Sequence, residues 1–375
     1  MPISPPHDDD LRDALERAVA PFVDAGDVPG AVAVAGDVHG DSGILALGLR
    51  RLQGEPTDAA TRYDLASLSK VVATLPTVLR LASDGVLDLD APLEEHLPNA
   101  GWFRDPSLGD RSARDLLTHT SGLPAWAPFM GFASERRTVV GHALASELPH
   151  RHGEVVYSDL GFIVLGALVE AVTGARLDGV ARERVFAPLG IEDELGFRPR
   201  GEACPHVPIA PTERCGWRGR LLDGEVHDEA AWIMDGVAGH AGLFGTAAGL
   251  AAYARAWLRR DPALGDPALL DAATRRATAP GQPARGLGWV LAPDDAEPAR
   301  ADAVIAWRAP RGFGHTGFTG TSLWIDPVAG RFCVLLTNRV HPTRHHGGAI
   351  GALRQAVHAA VFGSGAAGPA EGGSA

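Results

Sequence analysis

Tyr63-Asp64-Leu65-Ala66-Ser67-Leu68-Ser69-Lys70 runs straight into an apolar segment that ends at Asp84-Gly85. The spacing of its leucines and valines predicts a buried helix over Leu68–Leu81. Ser67 then sits at the helix N-terminus, where unpaired N–H groups and the positive dipole end favour a developing negative charge. Lys70 follows by three residues, so hydroxyl and amine lie one turn apart on one face. Lys70 is also the only lysine in the 375 residues; every other member of the 34 basic residues is arginine. An arginine cannot release its proton near neutral pH, whereas a desolvated lysine can. The pattern points to a serine nucleophile activated by a neutral or proton-relaying lysine, whose pKa burial or a neighbouring cation must depress.

Working outward, the chain frames this helix with strands at both ends. An amphipathic helix is expected over 11–24, followed by a hairpin of Gly30 to Ala35 and Ile44 to Leu49. Further helices are expected at 113–119, 159–173, 176–186 and 247–259, with irregular, Gly- and Pro-rich loops between 187 and 245. Strands are predicted at Leu287–Leu291, Val304–Trp307, Ser322–Ile325 and Phe332–Leu336, then a closing helix at 347–362. This order predicts an α+β fold, one antiparallel sheet built from both termini, flanked by helices, with a mainly helical insertion. The expected divisions are a flexible 1–8, a discontinuous α/β part at 9–60 and 283–363, a helical part at 61–282, and a disordered tail at 364–375.

Two further segments carry chemistry. Tyr157-Ser158-Asp159-Leu160-Gly161-Phe162 opens an apolar helix. Of three tyrosines, Tyr63 and Tyr253 fall at packing positions, which leaves Tyr157 as a proton carrier; a phenol held near an ammonium ionises more readily and can act as base, then acid. Gly314-His315-Thr316-Gly317-Phe318-Thr319-Gly320 precedes the strand at Ser322, and a Gly-rich edge of this kind lets an acyl group lie against backbone N–H donors.

These elements, in this order, resemble the serine β-lactamase and penicillin-binding-protein superfamily, in particular the class C, carboxypeptidase and esterase branch. The resemblance runs from about Arg12 to Phe362 and includes Arg114-Asp115-Leu116-Leu117-Thr118-His119-Thr120-Ser121-Gly122-Leu123 and Gly239-His240-Ala241-Gly242-Leu243-Phe244. Gly224 to Ala230 and Leu336 to Pro342 resemble a subgroup linked with muropeptide and amino-sugar recycling. The resemblance implies Ser67 as nucleophile, Lys70 and Tyr157 as its base pair, and the N–H groups of Ser67 and Phe318 as oxyanion hole. Asp159, His315, Thr316 and Gly317 are implied as substrate-binding. Two residues depart from the family pattern. Asp159 replaces the usual Asn and cannot donate a hydrogen bond when ionised; His315 replaces the lysine of many β-lactam-hydrolysing members. Weak or no β-lactamase activity is expected. Ester or amide hydrolysis through an acyl-enzyme fits better, with a muropeptide amidase or D-aminopeptidase, or a sensor that does not turn over, as alternatives.

Forty-six acidic residues give a net charge of −12 and no basic stripe, which argues against nucleic acid as partner. The expected partner is a small ester, amide or peptidoglycan-fragment substrate, with no membrane association, no cofactor and no metal, and no oligomeric state implied. The N-terminus carries no secretory signal pattern, and Cys204, Cys215 and Cys333 make no disulfide framework, so a cytoplasmic location is expected. His227, Asp228 and His240, or His341, His345 and His346, lack metal-ligand spacing. His119 reads as a structural residue bonding backbone, and Arg218 and Arg220 as part of a solvated loop.

Overall fold

The computed structural model describes residues 8–52, 54–97, 103, 106–200, 207–292, 312–346 and 348–363. Its main sheet has seven strands in the order β3-β2-β1-β12-β11-β10-β9. These are β1 (Gly30–Asp37), β2 (Leu45–Arg51), β3 (Glu55–Pro56), β9 (Val290–Leu291), β10 (Phe313–Thr316), β11 (Ser322–Asp326) and β12 (Arg331–Thr337). A smaller sheet holds β4 (Tyr63–Asp64), β8 (Leu243–Gly245) and β5 (Leu195–Phe197), and β6 (Arg214–Cys215) pairs with β7 (Arg220–Leu221).

The N- and C-terminal strands meet at the centre of the main sheet, where β1 runs antiparallel to β12 with Ala31 opposite Thr337 and Asp37 opposite Arg331. The alternation in Ala31-Val32-Ala33-Val34-Ala35 separates two cores. Ala31, Ala33 and Ala35 face the outer helices Asp8–Asp24 and Ile350–Phe362, packing with Leu15, Val19, Leu353 and Val357. Val32 and Val34 face the larger core that includes Leu65, Val71 and Leu250. Small residues on one side let two helices approach closely; larger ones on the other fill the space toward the helical part.

Helices Asp159–Thr173 and Ala247–Arg259 match the expected bounds because each has a strong start. Ser158 and Thr246 accept from the Gly161 and Gly249 N–H groups, and Gly174 closes the first helix at φ 69°. The helix expected over Leu68–Leu81 is instead interrupted: Lys70–Thr74 forms a π-helical turn before an α-helix at Leu75–Ser83. The segment expected at 176–186 divides likewise, into Leu177–Ala181 and a π turn at Arg182–Phe186. The strand expected at Leu287–Leu291 shrinks to two residues, and the Gly-rich edge at 313–316 is itself the strand β10. The strand expected at Val304–Trp307 and the tail at 364–375 lie outside the described residues, as does most of the flexible N-terminus expected at 1–8. No single helix among the described residues is long and apolar enough to cross a membrane.

Candidate active site

Three chain segments converge on Lys70. The first is the turn that carries Ser67. Ala66 holds φ 47°, a left-handed conformation uncommon for a residue with a Cβ. It is imposed by its surroundings: the Ala66 N–H donates to Asp64 Oδ1 at 2.8 Å, and Ser69 Oγ donates to the Ala66 carbonyl at 2.7 Å. Strain of this sort persists where the fold over-determines it, and it turns Ser67 outward at the head of the π turn. The Lys70 side chain is fully buried. Its Nζ donates to Ser67 Oγ at 3.0 Å and to the His240 carbonyl at 3.1 Å, and lies 2.7 Å from Asp159 Oδ1. The ammonium thus faces Ser67 Oγ, the His240 carbonyl, the Asp159 carboxylate and the Tyr157 phenol together.

The second segment carries Tyr157 and Asp159. Ser158, the helix cap, also donates to the Pro124 carbonyl at 2.6 Å, and the Asp159 N–H donates to the Ala125 carbonyl at 2.8 Å. His119 accepts the Ser158 N–H on Nδ1 at 3.0 Å, the backbone-holding part expected of it. Lys70 Nζ lies 5.0 Å from the Tyr157 ring centroid. The Arg285 guanidinium stands 5.4 Å from the same centroid, with Nη1 buried and no hydrogen-bond partner among the described residues.

The third segment is the β10–β11 turn. Thr319 Oγ1 donates to the Asp64 carbonyl at 2.7 Å and Thr321 Oγ1 to the Leu65 carbonyl at 3.1 Å, which ties this turn to the backbone just before Ser67. Only glycine fits at 317, since a Cβ there would sit 2.1 Å from Thr321 Oγ1 and 2.5 Å from the Leu65 carbonyl. Among the described residues neither the Ser67 nor the Phe318 N–H has a protein acceptor. Phe318 is half exposed and stacks on His227 at 5.5 Å.

The electrostatics correct one expectation. Burial pulls the Lys70 pKa down, but the adjacent Asp159 carboxylate, with Tyr157 adding to it, outweighs burial, and the net direction is up. Lys70 is therefore a held ammonium rather than a neutral amine, and the site contains a buried ion pair. His119 and His315 are both driven well below the ordinary histidine value by burial, then by Arg285 and Lys70, so both are neutral. His315 Nδ1 bonds the Thr316 carbonyl at 2.8 Å, and its ring lies 5.8 Å from Tyr157. Behind Lys70, Asp228 bonds His240 Nε2 at 2.8 Å; burial would raise this carboxyl, but His240 holds it below the usual carboxylate range.

The structure brings Ser67, Lys70, Tyr157, Asp159, His315, Gly317 and Phe318 to one place; Thr316 lies on the same strand edge, half-buried. Tyr63 and Tyr253 are buried, as their packing positions require. Arg218 departs from the solvated-loop expectation. Its side chain is buried and donates to the carbonyls of Val226, His227 and Asp228, because the loop folds back over it. Arg285 was not singled out from sequence, and Asp228 and His240 were weighed there only as metal ligands, not as a pair behind Lys70. The only signal for Arg285 was an isolated cation in the glycine-flanked Arg285-Gly286-Leu287-Gly288-Trp289. Among the described residues no three His, Cys, Asp or Glu side chains gather as metal ligands.

Comparison with known proteins identifies the family. The family model described as Beta-lactamase matches residues 15–358. An N-acetylmuramyl-L-alanine amidase from Bacillus subtilis is 32% identical over 315 residues, covering 75% of this chain and 68% of the relative. A putative D-alanyl-D-alanine carboxypeptidase from Escherichia coli is 31% identical over 318 residues, 77% of this chain and 72% of the relative. Among solved structures, EstCE1, a hydrolase with promiscuous acyltransferase activity, shares the fold with a TM-score of 0.75 at 22% identity, covering 95% of this chain and 99% of that one. With the serine, its lysine and the unbonded N–H pair assembled on a matching fold, the chain belongs to the β-lactamase family and is a serine hydrolase.

Proposed function

We propose that this hydrolase cleaves an amide in a peptidoglycan-derived fragment through an acyl-enzyme on Ser67, and accepts simple esters by the same route. The observation that carries the chemistry is the Lys70 ammonium, held 3.0 Å from Ser67 Oγ by a carboxylate and a backbone carbonyl. Because that ammonium is cationic, it orients Ser67 and offsets negative charge beside it, while Tyr157 takes the proton. In acylation Ser67 Oγ attacks the carbonyl carbon, its proton passes to Tyr157 in the phenolate form, and the tetrahedral oxyanion lies on the Ser67 and Phe318 N–H groups. Collapse breaks the C–N bond as Tyr157 returns the proton to the leaving amine. Water then repeats the sequence and releases the acid. The amide preference is supported by the amidase and carboxypeptidase names of the two relatives. A neutral His315 provides no fixed charge for a β-lactam carboxylate, which argues against efficient β-lactamase activity.

Intact-mass spectrometry of wild type and Ser67→Ala, each mixed with a short-chain p-nitrophenyl ester, a penicillin or a muropeptide amide while product is followed, tests this. Turnover by wild type alone, fastest on the amide, is expected. A persistent adduct without turnover would favour a sensor, and equal rates in Ser67→Ala would overturn the assignment.

A further inference from the structure

Arg354 belongs to the outer helix Ile350–Phe362, yet its side chain crosses to the β10–β11 turn. It is 7% exposed and has no carboxylate partner among the described residues. Nη2 donates to the Gly317 carbonyl at 2.7 Å and to the Thr321 carbonyl at 2.9 Å; Nε is buried without a partner. Burial, then repulsion from Arg339, pushes its pKa down to about 10, so the charge is kept at neutral pH although the fold disfavours it. A neutral donor would satisfy two carbonyls at less cost, so the charge itself calls for a reason.

The peptide unit supplies one. The Gly317 carbonyl and the Phe318 N–H are the two ends of a single planar amide. A cation on the oxygen draws electrons toward it and leaves the N–H a stronger donor, in the way hydrogen bonds polarise one another along a chain. The Gly320 N–H adds a second bond to the same oxygen at 3.1 Å. The next amide is held too: Arg339 Nε donates to the Phe318 carbonyl at 2.8 Å, with its guanidinium 4.6 Å from the Phe318 ring centroid. Both amide planes that meet at Phe318 are thus oriented by guanidinium groups.

We propose that Arg354 is a positioning residue of the oxyanion hole: it aims and polarises the Phe318 N–H through the Gly317–Phe318 peptide. The inference rests on the acyl-enzyme reading above. Its effect falls on the charged tetrahedral state and leaves ground-state binding alone.

The test compares Arg354→Met, Arg354→Gln and Arg354→Lys with wild type. The readouts are kcat and KM for p-nitrophenyl acetate, the Kd of phenylboronic acid, which forms a tetrahedral adduct on a serine hydroxyl, and the thermal midpoint. Arg354→Met is expected to lose about ten- to a hundredfold in kcat/KM and in boronate affinity together, with KM within about twofold, on the scale of a weakened oxyanion donor. Arg354→Lys should recover most of the loss and Arg354→Gln little. A folded Arg354→Met with boronate affinity and kcat/KM within about twofold of wild type overturns the inference, since one weakened donor should exceed that. So does a Gln variant equal to the Lys variant, and that comparison decides the matter if the Met variant does not fold. Wild type that neither turns over ester nor binds boronate would defeat the acyl-enzyme reading itself; wild type that does both, beside an unaffected Met variant, defeats only the part assigned to Arg354.

Discussion

Lys70 presents one compact ammonium to Ser67 Oγ, the His240 carbonyl, Asp159 and Tyr157 at once, and that geometry sets what other residues can replace it. An arginine keeps the charge but spreads its donors over a planar fork, which cannot place them on Ser67 Oγ, the His240 carbonyl and Asp159 from one point. Lys70→Arg is expected to lower kcat/KM for a short-chain ester by at least about a hundredfold, the range of a lost electrostatic stabiliser at the reacting centre; near-wild-type rates would sink the mechanism. Asp159→Asn removes the carboxylate that offsets burial of Lys70. The sign follows from the raised folded pKa. The stabilisation of the ammonium is complete below the ordinary lysine value and is lost as pH rises through the raised one. In the Asn variant the alkaline limb of kcat/KM against pH should therefore begin about one unit or more lower, the usual reach of an adjacent opposite charge. Arg285→Met takes away a buried cation beside Tyr157 with no carboxylate among the described residues to balance it. For a neutral ester, kcat/KM should fall about tenfold, one decade per 1.4 kcal/mol of lost charge stabilisation; a fall confined to anionic substrates would instead make Arg285 a substrate-binding group.

Among the elements, the helices with caps were legible and the interrupted ones were not. Ser158 and Gly174 bracket Asp159–Thr173 with local bonds, so composition alone marks both ends. The π turn at Lys70–Thr74 leaves the apolar pattern of Leu68–Leu81 unchanged, and a partner of its last residue, the Gly239 carbonyl that accepts from Thr74 Oγ1 at 2.7 Å, lies far along the chain. Strands β4, β5 and β8 have two or three residues each and are too short to show a period of two. They exist because the backbone around the nucleophile needs partners. The β10–β11 turn offers a direct check. Gly317→Ala would drive a methyl into Thr321 Oγ1 and the Leu65 carbonyl, displacing the Phe318 N–H. Ester turnover should drop by about a hundredfold, as for a removed oxyanion donor, while boronate binding weakens in parallel; unchanged kinetics would show that the turn does not hold the oxyanion.

For the whole molecule, the charge buried around Lys70 sets its response to acid. His119 and His315 are neutral in the folded state because burial and the neighbouring cations oppose protonation. Unfolded, each takes up a proton near its ordinary value of about 6.5. With folded values depressed, the stability they contribute is complete above that pH and is lost as pH falls toward the folded values, by up to about 1.4 kcal/mol per pH unit for each group. Urea unfolding at neutral pH and at about one and a half units below the free histidine value should show this loss, and His315→Asn should reduce it; an equal slope in the variant would mean that His315 does not set the acid limit. By itself the sequence picked out Ser67, Lys70 and Tyr157, which the fold brings together, and the meeting of the two termini in one sheet, because each is written in local patterns: residue scarcity, helix starts and alternation. Only the tertiary structure decided the charge state of Lys70 and which distant residues gather around the site. Asp159 is 89 positions away, Arg285 sits on a different segment, and Arg354 reaches in from the outer helix. Desolvation and Coulomb energy depend on distance in space, and that distance does not exist until the chain has folded.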